Sequence, residues 1–392
     1  MITKNLKNTL LYTIVFLVVS SCKPTNETKS NESLYFLNLE LIADKLIERS
    51  DLKKGEKVLL ISKPGSFDPI ISLLEEKINL SAAQYLGTFS VDSLIKPDYW
   101  QTDFIKKGSE KDKDELIEYL MNVDLGIMLP GANPTHMEYS AMQEVLKKNQ
   151  GRTIHFHWAG AYDLTGNLLD VDDKISKYYQ DVLLKTDYTE LGKRQRIFEN
   201  ALRENLIKVT TPLGTDIKFR IGNRPVTKQD GDASYKKETY KNLIDREIEL
   251  PPGAIRVAPI EETVEGTIAF PNSVWQGEKV EGLVITFKKG KIENLFANKG
   301  EEAVLKELKL AGEAGQYFRE FALCFNPLLS IPENDPWIPY YGYGSGVIRL
   351  SLGDNTELGG KVKGGYVRWN FFTDATVIVG DDLWVKNGKL VK

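Results

Sequence analysis

Cysteine is nearly missing from this 392-residue chain, which has only Cys22 and Cys324. If Cys22 carries a lipid, as the sequence around it suggests, Cys324 is left alone. No intrachain disulfide can then form, even in an oxidising compartment. Histidine is confined to His136, His155 and His157, so any imidazole-based metal site must draw on these three. There is no basic cluster and the formal net charge is −4, which argues against a nucleic-acid binder. No Gly-Lys-Ser/Thr follows a glycine run, and Ser345 lacks the Gly-x-Ser-x-Gly spacing. A phosphate loop and a hydrolase nucleophile elbow are therefore both excluded.

What is present begins at the N-terminus. Lys4 and Lys7 precede a short apolar run, Leu10 to Val19, that ends in Ser20-Ser21-Cys22. A basic start, an apolar core and a small-residue cleavage site make a secretory signal over 1–21. The run is too short for a permanent membrane helix. A cysteine directly after two serines matches the bacterial lipobox, which makes Cys22 the expected lipidation site and new N-terminus. An ordinary signal peptide with an incidental cysteine is the alternative. The expected location is the bacterial cell envelope, lipid-anchored, facing the periplasm or the surface. Residues 22–34 are polar, cannot build a core, and read as a disordered tether. Loss of 1–21 removes two lysines, leaving 49 basic against 55 acidic residues, a net charge of −6.

About 360 residues remain, enough for two domains. From 35 to 206, short apolar runs such as KVLLIS and DLGIML alternate with amphipathic stretches such as FDPIISLLEEKI and MEYSAMQEVLKK. That alternation predicts βα units, with a parallel sheet flanked by helices. From 207 to 392 the pattern changes to strand runs joined by glycine turns, interrupted by one helix at 301–310. This predicts a β-rich α+β domain.

LPPGAIRVAPIEETVEGTIAF (250–270), VEGLVITFKKGKIENLFANKGEEAVLKEL (280–308), REFALCFNP (319–327) and GVIRLSLGDNTELGGKV (346–362) follow in order. Together they resemble the thermophilic metallo-aminopeptidases, the aminopeptidase T and S family. The resemblance implies an aminopeptidase T-like fold, an α/β domain followed by a β-rich one, and commonly a homodimer enclosing a cavity. It also implies two divalent cations that clamp a water and polarise a scissile carbonyl. Its metal ligands fall on Ala254, Glu320, Arg349, Arg368 and Asn370, and only Glu320 keeps a ligand chemistry of that centre. Alanine has no ligand atom, asparagine offers a neutral oxygen, and arginine only donates. The expectation is a pseudoenzyme with no cofactor. It would bind a peptide, a small anionic ligand or a partner protein through Glu320, Arg349, Arg368 and Asn370.

Alternation puts Arg349 and Ser351 on one face of their strand, and Tyr366, Arg368 and Asn370 on one face of theirs. If the resemblance holds in detail, both arginines meet Glu320. They would then serve either as structural partners of Glu320 and of acids such as Asp354 or Asp374, or as an anion pocket. A shifted register that exposes them is the third reading. The rival to the pseudoenzyme is an active peptidase with zinc, cobalt or manganese on another ligand set. His155 and His157, spaced for one side of a strand, are its candidates, with His136 nearby. Trp337, Tyr340, Tyr341 and Tyr343 suit either a binding platform or a packed loop. Asp230 and Asp232 read as scaffold, and Cys324 as a buried apolar residue.

Overall fold

The computed structural model describes residues 37–392 apart from 159, 165–166, 237–242 and 341–343. The signal, Cys22 and the whole of the tether lie outside the described residues. Among those described, no helix is long and apolar enough to cross a membrane.

Helix α1 (Leu39–Ser50) leads through β1 (Lys57–Ser62), α2 (Asp68–Leu80), β2 (Gln84–Ser90), α3 (Asp103–Gly108), α4 (Lys113–Leu120), β3 (Leu125–Met128) and α5 (Met137–Lys147) to β4 (Arg152–Phe156). Local chemistry marks the boundaries. Asp112 and Glu115 close a capping box on α4, and a proline in the first turn starts α2. The strands are all parallel. β1 is buried on both sides: Val58 and Leu60 pack with Ile42, Leu46 and Ile70, whereas Leu59 and Ile61 pack with Leu116, Met142 and Val145. A strand covered on both faces explains its unbroken apolar run.

Short strands β5 (Ala161–Tyr162) and β6 (Leu168–Leu169) precede α6 (Asp173–Lys185) and α7 (Tyr188–Glu204). Next come β7 (Ile207–Thr210), β8 (Asp216–Phe219), β9 (Val226–Lys228), the one-turn α8 (Leu243–Arg246), β10 (Glu247–Leu250), β11 (Ala254–Val257) and β12 (Glu265–Ala269). The hairpin β13 (Ser273–Trp275) and β14 (Glu278–Val280) is followed by β15 (Val284–Lys288), β16 (Lys291–Phe296) and α9 (Glu301–Leu310). The chain ends with β17 (Phe318–Cys324), β18 (Ile338–Pro339), β19 (Ile348–Gly353), β20 (Val367–Phe372), β21 (Thr376–Val379), β22 (Asp382–Lys386) and β23 (Lys389–Leu390).

Two antiparallel sheets dominate this part, β16-β15-β12-β8-β7-β21-β22-β23 and β20-β19-β17-β11-β9. Their facing side chains, Phe219, Ile268 and Phe287 against Val257, Phe321 and Leu350, form one core. The α/β and β-rich parts are those expected from the sequence. The fifth strand of the parallel sheet is β10, beside β4, with Glu247 opposite Thr153 and Glu249 opposite His155. A segment from the second half thus completes the first sheet, and the chain crosses straight from β10 into β11.

Candidate functional site

The second face of the β20-β19-β17-β11-β9 sheet carries the charge. Cross-strand partners share a face, so Ala254 with Cys324, Arg256 with Ala322 and Arg349, and Glu320 with Ser351 all point the same way. This face turns toward the α/β half, since Ala254 and Cys324 pack in the cluster that holds Leu60 and Phe156.

Glu320 is fully buried at its centre. Arg256 donates from Nη2 to its Oε2 at 3.0 Å, and Arg319 donates from Nη1 to the same oxygen. Arg349 Nη2 lies 2.7 Å from Oε1, and Ser351 Oγ donates to that oxygen at 3.2 Å. A carboxylate has about four lone-pair sites, and four groups surround these two oxygens. Burial alone would raise the Glu320 pKa, but the Arg256, Arg319 and Arg349 charges together hold it well below the usual carboxylate range. The Arg349 guanidinium also lies 4.6 Å from the Trp369 ring centre.

Two of these arginines were not anticipated. Arg256 was legible, because it stands two residues after Ala254 on one strand. Arg319 was not, because simple alternation places it opposite Glu320. The β17–β19 register shifts between Phe318 and Glu320, and this bulge sends adjacent side chains to one side. Glu357, also unanticipated, receives Arg256 Nη2 at 2.9 Å and Arg319 Nη2, both on Oε1. It stands where Asp354 or Asp374 had been considered as a partner. Asp354 supplies only its backbone carbonyl, to Arg319 Nε at 2.6 Å.

Arg368 and Asn370 do not join this group, which corrects the expectation of one shared cavity. On β20, Arg368 stands opposite Leu352 and Asn370 opposite Leu350, whereas Arg349 stands opposite Phe371. Both therefore point to the other face. Arg368 donates to Glu307 Oε1 at 2.8 Å and to the Val274 carbonyl at 2.9 Å, with its guanidinium 3.4 Å from the Trp275 ring centre. Asn370 donates to the Leu350 carbonyl at 3.1 Å.

The His155 and His136 rings are hydrogen-bonded, and the His157 ring packs on neighbouring rings. His155 Nδ1 lies 2.7 Å from the Tyr139 hydroxyl and Nε2 lies 3.0 Å from the Thr153 hydroxyl, so both ring nitrogens are engaged. Burial lowers its pKa to about 4, against a smaller opposing effect of Glu249. His157 is lowered as well, first by burial and then by His155, and its ring lies 4.6 Å from that of Tyr340. His136 accepts from the Asn133 backbone N–H, ahead of α5. Among the described residues, no group of three His, Cys, Asp or Glu side chains could hold a metal ion.

Between the histidines and the arginine cluster lies Glu247. Its pKa is raised to about 7 by burial, despite the hydrogen bond from Gln143 at 2.8 Å. Trp337 is buried and packs on Tyr178 at 4.8 Å, and the Tyr340 N–H donates to the Tyr179 hydroxyl at 2.7 Å. These two belong to a packed loop and form no exposed platform; Tyr341 and Tyr343 lie outside the described residues. Burial pushes the Cys324 thiol up to about 12. Asp230 and Asp232 accept from nearby backbone N–H groups.

Residues 184–331 match the model of the thermophilic metalloprotease (M29) family. That stretch of the chain is similar to M29. Two solved structures share the fold over nearly the whole length. Wild-type AmpT from Thermus thermophilus is 15% identical, with 90% of this chain and 99% of that one covered at a TM-score of 0.55. A 2,5-dihydroxypyridine dioxygenase from Pseudomonas putida KT2440 is 16% identical, with 93% and 98% covered at 0.58. No curated protein matches the chain. Such identities show the fold, and the second name indicates that this fold is not tied to one chemistry. The M29 name implies metal, yet the residues on this face do not fit a two-metal centre. Ala254 has no ligand atom, Arg349 can only donate, and Glu320 is surrounded by donors.

Proposed function

We propose that this protein is a ligand-binding member of the M29 fold, without peptidase chemistry, held at the cell envelope by a lipid on Cys22. The observation that carries the reading is the surrounding of Glu320 by Arg256, Arg319, Arg349 and Ser351. Side-chain cations occupy the place of metal ions. Displacing them with a metal would confine two kinds of cation around one buried carboxylate, which Coulomb repulsion at such distances disfavours. The ligand is a peptide or other small anionic molecule. Its site is the cavity of about 490 Å³ beside the cluster, lined by Gln143, Lys147, Arg319, Asp354, Thr356 and Glu357. Small-ligand pockets commonly have volumes of a few hundred Å³.

The test loads the purified mature chain with zinc, cobalt or manganese, then measures bound metal and turnover of aminoacyl chromogenic substrates. The expected result is no stoichiometric metal and no turnover. Two ions per chain, or metal-dependent turnover lost in Glu320→Ala, would overturn the proposal. The anchor is tested separately: wild type should partition with membranes, and Cys22→Ser should remain soluble.

A further inference from the structure

We infer that the ligand is recognised through a carboxylate, and that Glu357 occupies its place in the empty protein. This rests on the binding role proposed for the cavity and specifies its chemistry. Arg256 on β11 and Arg319 on β17 are held between two carboxylates. Both reach Glu320 Oε2 on the inner side, and both direct Nη2 to Glu357 Oε1 on the outer side. The inner carboxylate is inaccessible and further held by Arg349 and Ser351. The outer one is different. Its side chain is 38% exposed, and it lines the cavity together with Arg319.

The charge balance favours exchange over loss. Arg256 and Arg319 bridge Glu320 and Glu357, so removing Glu357 without replacement takes away one of the two carboxylates these guanidinium groups share. A carboxylate from solution restores the balance and meets the same two Nη2 groups, which already accommodate that geometry. Glu247 also lies near Arg256, and it is raised toward neutrality by its burial and by Glu357 among others, so it supplies the missing charge only in part.

The backbone need not move for this exchange. Leu358, next in sequence, is buried against Ala258. Asn355 donates to Glu261 Oε1 at 3.0 Å, and its own Oδ1 accepts from the Val362 N–H at 2.8 Å. The loop is pinned on either side of Glu357, so rotation of one half-exposed side chain opens the position. Gln143 and Thr356 line the cavity wall beside this position, where the remainder of a short peptide would lie. The class of ligand is a small carboxylate, of which the C-terminus of a short peptide is the form that fits a 490 Å³ cavity.

The experiment titrates the mature chain and its Glu357→Ala and Glu357→Gln variants with an N-acetylated dipeptide, the same dipeptide as its C-terminal amide, and inorganic phosphate. Calorimetry and thermal melting are read in parallel. Removing an internal competitor raises apparent affinity by the inverse of the open fraction, so Glu357→Ala should bind the free-acid dipeptide about tenfold more tightly than wild type. Acetate should restore part of the melting temperature that Glu357→Ala loses. The amide should gain nothing. Equal gain for acid and amide, unchanged or weaker binding in both variants, or phosphate binding more tightly than the carboxylate would overturn this inference alone. No binding at all would also overturn the binding role proposed for the cavity. Neither result alters the metal and turnover test above.

Discussion

Arg349 and Arg368 lie on neighbouring strands of one sheet, and both stand in the pattern of a lost metal ligand, yet they have different surroundings. Arg349 is buried beside Glu320, with two further arginines on the same carboxylate. Arg368 lies on the opposite face, over Trp275, and shares Glu307 with the Tyr366 hydroxyl. One side chain belongs to an interlocked group in which each charge depends on the others. The other belongs to a peripheral pair whose carboxylate keeps further donors, among them the Gln276 N–H. The comparison shows that two arginines on neighbouring strands can end in a buried charge cluster at one position and an edge contact at the other.

The largest expected effect falls on the buried group. Arg349→Ala leaves a fully buried carboxylate with part of its compensation removed, and should cost about 3–5 kcal/mol in urea unfolding. A cost below about 1 kcal/mol would remove the distinction between the two arginines. Glu320 also gives the cluster an acid signature. Its folded-state pKa is depressed from the ordinary 4.5, so its stabilisation is present above that value and is lost as pH falls below it. Wild type should lose stability steeply in that acid range, whereas Glu320→Gln, less stable throughout, should show a shallower slope.

Next in size is Glu247. Its folded-state value of about 7 stands above the ordinary 4.5, so the contribution of its neutral form is complete below 4.5 and is lost as pH rises through about 7. His155 runs the other way. Its value of about 4 against an ordinary 6.5 means a contribution complete above 6.5 and lost as pH falls toward 4. The two partly offset each other in weak acid. Glu247→Gln should therefore gain on wild type as pH rises, by up to on the order of 3 kcal/mol near pH 8. Unfolding midpoints at about pH 5 and about pH 8 test this, and an equal difference at both would show that Glu247 does not titrate in the fold.

The smallest effect is expected at Arg368. Arg368→Ala gives up a cation–π contact and one ion pair at a partly exposed site, a loss of about 1 kcal/mol. Ligand binding in the 490 Å³ cavity should be unchanged by it. A loss as large as that of Arg349→Ala would mean that the two faces are coupled through the sheet.

Much of the architecture was legible because local rules act there. Apolar runs alternating with amphipathic stretches marked β1 to β4 and their helices, and the turn-punctuated second half marked the antiparallel sheets. Alternation correctly paired Arg349 with Ser351 and Arg368 with Asn370. It gave no information on which of these pairs faces Glu320, because that depends on the relative register of β19 and β20, across a loop with glycines at 359, 360, 364 and 365. The exposed-aromatic reading of Trp337 failed for a similar reason, since the packing of α6 against it comes from a distant part of the chain.

By itself the sequence determined the two-part architecture, which follows from periodicity, and the absence of any metal-binding atom from the side chains of Ala254 and Arg349, which follows from the identity of their atoms. Tertiary structure alone decided that β10 joins the first sheet, that the bulge at Arg319 brings a third guanidinium to Glu320, and that Glu357 closes the group from outside. Each depends on which strand lies beside which and in what register. Those are long-range pairings, selected by burial of the whole sheet face.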